Sequence, residues 1–212
     1  MAGPDLADAH RKLGLWFAAR ALTQRYQDGV HNKQVRDFKE VVAWIDGGAP
    51  PAWIGDARTP SLFDRAPEGA IGKFIQCCVN QNDPRDPVVT AHKVGFRSGT
   101  MTTEKHHVFP VRFVQHLSSW DKKTDKADKL LNLMFVTRET NKRWLNQDPR
   151  FHINEALNAV SLDQLRDVYA AQFIPEGAVQ ILLKSEKTRA DFYSFLEARQ
   201  AEIQKWIEQR FG

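Results

Sequence analysis

Residues 105–146 constrain the fold more than any other stretch of the chain. The adjacent pair His106-His107 leads into Val108-Phe109-Pro110. Asn132 and Asn141, nine positions apart, flank the apolar run Leu133-Met134-Phe135-Val136. Neighbouring side chains on a strand point to opposite faces, so adjacent histidines can serve one site only where the strand ends or bends. Pro110 lacks a backbone N–H and closes such a strand just downstream. The pattern predicts a short strand over 105–109, one or two helical turns over 111–117, a polar connection over 118–128 and a second strand over 131–137. A helix over 138–146 then stops before Pro149. If the two strands pair as a hairpin, Asn132 stands opposite the histidines. Asn141, about one turn into the helix, points back at the hairpin end.

The flanks read as helical. Leu6, Leu13, Trp16, Phe17, Ala21 and Leu22 recur at helical spacing over 5–26, and Asp28-Gly29 ends that helix. Asn32 can cap a second helix with the stripe Val35, Phe38, Val41, Val42 and Ile45, which Gly47-Gly48 stops. A third, short helix is expected over 70–79, followed by a loop-rich stretch over 80–99 with Asp83-Pro84 and Asp86-Pro87. Ser161 with Gln164 forms a capping box for a helix over 162–172. Ile174-Pro175-Glu176-Gly177 breaks the chain before a long helix over 188–210 with the stripe Phe192, Phe195, Leu196, Ile203 and Ile207. The expected class is mainly α with a small β-hairpin, in three segments: a helical 1–91, a central 92–155 and a helical 156–212.

Bulk properties narrow the function classes. No run approaches the ~18 apolar residues of a membrane span. The first eleven residues mix polar and charged side chains and do not read as a secretory signal. The two cysteines, Cys77 and Cys78, are sequence neighbours, which argues against a disulfide framework or a cysteine zinc site and for a reducing cytoplasm. Both read as small buried residues. The net charge is +4, yet residues 92–150 hold twelve Lys/Arg against six Asp/Glu, a local excess of +6 that leaves −2 for the rest. A basic field centred on the histidine pair suits a polyphosphate partner. Lys122, Lys123, Lys126 and Lys129 read instead as a solvated loop.

Phosphodiester hydrolysis needs an activated water, a base near neutral pH, and positive charge beside the phosphate. An imidazole is the natural base, and a divalent cation with few protein ligands supplies the charge. Arg138, Lys142 and Arg143, on or beside the expected helix, are candidates to hold phosphates, with Lys105 at the strand. His92, Lys93 and Arg97 lie just upstream and can meet DNA. Asn146 reads as a helix cap with a metal-side role as the alternative. His116 reads as a surface histidine, and Trp120 and Trp144 as core or interface residues.

The set His106-His107-Val108-Phe109-Pro110, Asn132-Leu133-Met134-Phe135-Val136 and Thr140-Asn141-Lys142 resembles the HNH nuclease motif, the ββα-metal finger. Residues 104–155 are more closely similar to the C-terminal endonuclease domain of GmrSD-type restriction proteins, which act in phage defence. Asn141-Lys142-Arg143 through Asn146-Gln147-Asp148-Pro149 and the Phe173-Ile174-Pro175 break carry that likeness further. The resemblance implies a metal-dependent DNA endonuclease or nickase, with His107 as general base and Asn132 orienting its ring. His106 and Asn141 would be metal ligands. His106 stands where the motif usually has a carboxylate. Imidazole shifts preference from Mg²⁺ toward Mn²⁺, Ni²⁺ or Zn²⁺ and removes a negative charge from the site. The resemblance also implies an upstream nucleotide-hydrolysing domain. No phosphate-binding Gly-rich loop occurs in this chain, so a fragment of a longer protein is expected. Double-strand cutting by one finger requires a homodimer or two successive nicks. The rival expectations are a non-catalytic nucleic-acid-binding or regulatory module that keeps the finger as a scaffold, and a ribonuclease.

Overall fold

The computed structural model describes residues 5–58, 60–90, 92–95 and 103–211. Helices α1 (Leu6–Leu22) and α2 (Val30–Ile45) lead through a 3-10 turn (Ala52–Arg58) to α3 (Gly69–Gln81). Strand β1 (Thr103–His107), the short α4 (Val111–Val114), a 3-10 turn (Leu130–Asn132), β2 (Leu133–Thr137) and α5 (Arg138–Trp144) form the centre. The chain ends with α6 (Pro149–Leu157), α7 (Leu162–Ala170), α8 (Glu176–Leu183) and α9 (Arg189–Phe211). The fold is mainly helical with one small antiparallel hairpin, as expected. Among the described residues, no helix is long and apolar enough to cross a membrane.

One cluster of buried apolar side chains runs from Ala18 to Ile207. Helix α6 runs across residues 155 and 156. The stripe expected on α9 is wholly buried, from Phe192 to Ile207. That on α1 is not. Leu6, Leu13 and Phe17 are exposed, while the small residues Ala18, Ala19 and Ala21 face inward with Leu22. On α2, Val35, Phe38 and Val42 are likewise exposed, and the inward face is Val41 and Trp44. The cap of α2 is Gly29, at φ 62°, rather than Asn32. Such a left-handed backbone suits glycine. The buried Asp37 carboxylate accepts hydrogen bonds from Arg25 and from the Tyr26 hydroxyl, which anchors the α1–α2 turn. Cys78 is buried as expected, but Cys77 is exposed.

The hairpin register pairs Thr103 with Thr137 and His107 with Leu133. β1 lies two residues upstream of the expected strand, because the chain already bends at Val108. On β2, the outer edge is closed by side chains. Gln172 accepts from Phe135 N at 2.6 Å and donates to Phe135 O at 2.9 Å, mimicking a third strand. The buried Arg199 donates to the carbonyls of Leu131, Leu133 and Gln172. An open strand edge invites further pairing, and here side chains from the turn after α7 and from α9 fill it instead.

α5 is fixed at both ends. Thr137 caps it through Thr140 N. The fully buried Asp86 carboxylate accepts from Thr137 N (2.7 Å), the Thr140 hydroxyl (2.8 Å), Val88 N and Val89 N. A carboxylate at a helix N-terminus complements the helix dipole. The far end closes at Leu145 with φ 42°, two residues short of the expected end, so Asn146 is an exposed residue beyond the cap and not the cap itself. Asp148 then caps α6 with Pro149 in its first turn, which lays α6 back against Trp144.

Candidate metal and phosphate site

β1 presents different chemistry on its two faces. Glu104 and His106, two residues apart, share the face toward α5. His106 Nδ1 lies 2.8 Å from Asn141 Oδ1, and Asn141 Nδ2 donates to Glu104 Oε2 at 2.5 Å. Arg138 Nε sits 3.6 Å from the other Glu104 oxygen. The sequence pairing of His106 with Asn141 is thus brought together by strand and helix packing. Glu104 went unnoticed in the sequence, although a period of two counted back from His106 selects it.

His106 is only 3% exposed. Its ring lies edge-to-face with Trp144 (5.3 Å) and His152 (5.0 Å), and His152 stacks flat on Trp144 at 4.6 Å. Nδ1 is the nitrogen of His106 that meets a polar partner, whereas Nε2 is buried without one, as is Nε2 of His152. Burial pushes His106 down to about 4 against the supporting bond from Asn141, and pushes His152 down to about 3. Both rings are neutral at pH 7, the state in which an imidazole nitrogen can bind a metal. His152 was also missed, since a lone histidine in α6 carries no spacing signal until α6 folds back on α5.

The other face carries His107. Its ring is half-buried, with Nε2 3.1 Å from Asp128 Oδ1. The ring's partner is therefore Asp128, not Asn132 as expected. Asn132 is fully buried, and its side chain is consumed by backbone. Oδ1 accepts from Phe109 N (2.9 Å), and Nδ2 donates to Phe109 O and Ala127 O (both 2.9 Å). Asn132 lies in the 3-10 turn before β2 and locks the bend after His107, which places that ring at the strand end.

The basic candidates divide. Arg138 adjoins Glu104, and Lys142 is exposed on α5. Arg143 pairs with Glu155, Lys105 lies 3.9 Å from Glu68, and Lys93 pairs with Asp83 at 2.7 Å. Arg97 lies outside the described residues. His116 is exposed, and Trp144 is fully buried, as read.

Among the described residues, no group of three His, Cys, Asp or Glu side chains is arranged to hold a metal ion. The donor chemistry of His106 and Asn141 nevertheless suits one. The 2.8 Å contact is a hydrogen bond that Nδ1–H donates to Oδ1, so a cation on these two atoms would take the place of that proton, which would move to Nε2.

No family model and no solved structure matches the chain. An uncharacterized protein of Methanocaldococcus jannaschii is 20% identical over 89% of this chain and 35% of its own length. The chain thus spans about a third of the curated relative it matches.

Proposed function

We propose that this chain is a metal-dependent DNA endonuclease or nickase whose hairpin and α5 form an HNH-type ββα-metal finger. The observation that carries the reading is the convergence of His106 and Asn141, 35 residues apart, beside a separately held His107 at the strand end. His107 is the general base. With the proton on Nε2 donated to Asp128, Nδ1 is the basic nitrogen and takes the proton of the attacking water. His106 Nδ1 and Asn141 Oδ1 would hold the cation. When bound, it supplies positive charge at the non-bridging and leaving oxygens of the phosphate. Mg²⁺ and Mn²⁺ suit the oxygen donors, and the imidazole also admits Ni²⁺ or Zn²⁺. Asn132 keeps the bend rigid, so His107 is positioned before substrate arrives. Arg138, Lys142, Arg143, Lys105 and Lys93 hold DNA phosphates. The exposed ion pairs that several of them make cost little to exchange for phosphate.

The setting in restriction or phage defence and an upstream nucleotide-hydrolysing domain follow from the resemblance, and a cytoplasmic location from the cysteine usage. Pairwise nicks or a homodimer would account for double-strand cutting. A non-catalytic module is the second reading, favoured by the hydrogen bond that satisfies His106 and Asn141 without a metal. The test is relaxation of supercoiled plasmid with Mg²⁺, Mn²⁺ or EDTA, with RNA in parallel. Metal-dependent nicking of DNA is expected. An inert protein with every metal supports the non-catalytic module, and preferential RNA cleavage supports a ribonuclease.

A further inference from the structure

We infer that Glu104 is the anionic ligand of the metal site, supplying the carboxylate that the histidine pair lacks. The inference rests on the metal site proposed above and names a third member for it. His106 and Asn141 are both neutral donors, and hard divalent cations favour carboxylate oxygen. Several acids lie on the elements around this face. Glu155, on α6, pairs with Arg143, and Asp148 caps α6 and pairs with Lys187. Asp86 is fully buried, and its two oxygens already accept four hydrogen bonds, from Thr137, Thr140, Val88 and Val89. Glu139 precedes Asn141 by two positions on α5, about 200° around the helix, so it points away. Glu104 remains. It shares the His106 face of β1, touches Asn141 at 2.5 Å and keeps a partly exposed side chain able to adjust. Its other contact is the loose pair with Arg138, itself mostly exposed. A DNA phosphate arriving at Arg138 would release the carboxylate toward the cation. Substrate and metal would then favour one another at this site.

The alternative role for Glu104 is to orient the Asn141 amide without touching the metal. Glu104→Gln separates the two, because its amide oxygen still accepts from Asn141 while the charge is gone. Mn²⁺ binding by the whole chain, read by electron paramagnetic resonance titration, is expected to weaken about tenfold or more in Glu104→Gln. Metal-free melting temperatures of wild type and variant should match. Wild-type Mn²⁺ affinity in Glu104→Gln, or no Mn²⁺ binding by the wild type, overturns the inference. An anomalous-scattering map of wild-type crystals with Mn²⁺ gives a result independent of any variant. The ion is expected about 2.2 Å from a Glu104 oxygen, and an ion on His106 and Asn141 out of reach of Glu104 overturns the assignment. Intact Mn²⁺ binding without plasmid cleavage would count against the nuclease reading and leave Glu104 in place.

Discussion

The hairpin with α5 and the pair α1–α2 differ in what they bury and in what they leave at the surface. The first buries His106, Asn132, Thr137 and Thr140, and it draws in Asp86 and His152 from outside. The second leaves Leu6, Leu13, Phe17, Val35 and Phe38 at the surface while burying alanines. Burying a polar group is costly unless every donor and acceptor is met, so such a region admits few arrangements. Apolar contacts are non-directional, and a helix with large side chains on one face can still dock through another. The difference teaches that the centre holds its side chains by specific bonds, as a site must. The N-terminal helices carry specific bonds at Asp37 and Lys12, while their outward faces hold large apolar side chains on packing that tolerates change.

The largest expected effect sharpens that contrast. Asn132→Ala strips partners from Phe109 N, Phe109 O and Ala127 O, all within the buried bend. A loss of about 3 kcal/mol or more in urea unfolding is expected. A loss below about 1 kcal/mol would mean that the bend is held by packing alone.

A smaller effect is expected from pH. His106 and His152 are held below their ordinary value of 6.5, to about 4 and about 3. The unfolded chain therefore binds protons first as pH falls. Stability of the metal-free protein is complete above about pH 6.5 and declines as pH drops toward 4. Thermal melting across that window should show the decline. His152→Phe, which keeps a ring against Trp144, should make it shallower. An unchanged slope would place the pH sensitivity elsewhere.

The smallest effect belongs to the other region. Phe38 is 71% exposed, and Phe38→Ser should change stability by no more than about 0.5 kcal/mol in the same unfolding assay. A loss of several kcal/mol would break the comparison and make the α1–α2 surface part of the cooperative core.

The central order of strand, connection, strand and helix was legible because Pro110, the apolar run 133–136 and Pro149 punctuate it sharply. The pairing of His106 with Asn141 came from the resemblance, while the helix turn placed Asn141 at the hairpin end. Asn132 was legible as a special residue but not in its role. A side chain that bonds backbone 23 residues away leaves no local pattern. Asp86 and His152 were illegible as neighbours of this centre. Their places depend on how the loop at Asp86 and α6 return to α5, which short-range periodicity does not encode. The misread faces of α1 and α2 have the opposite cause. The periodicity was clear, and the tertiary packing chose a different side.

The central claim is that one face of β1 binds metal while the next residue does the chemistry. The most direct test measures Mn²⁺ binding and plasmid nicking on the same preparations of wild type, His106→Ala and His107→Ala. His107→Ala should bind Mn²⁺ as wild type does and nick at least about 100-fold more slowly, while His106→Ala should lose both. Wild-type nicking by His107→Ala with every metal would contradict the account.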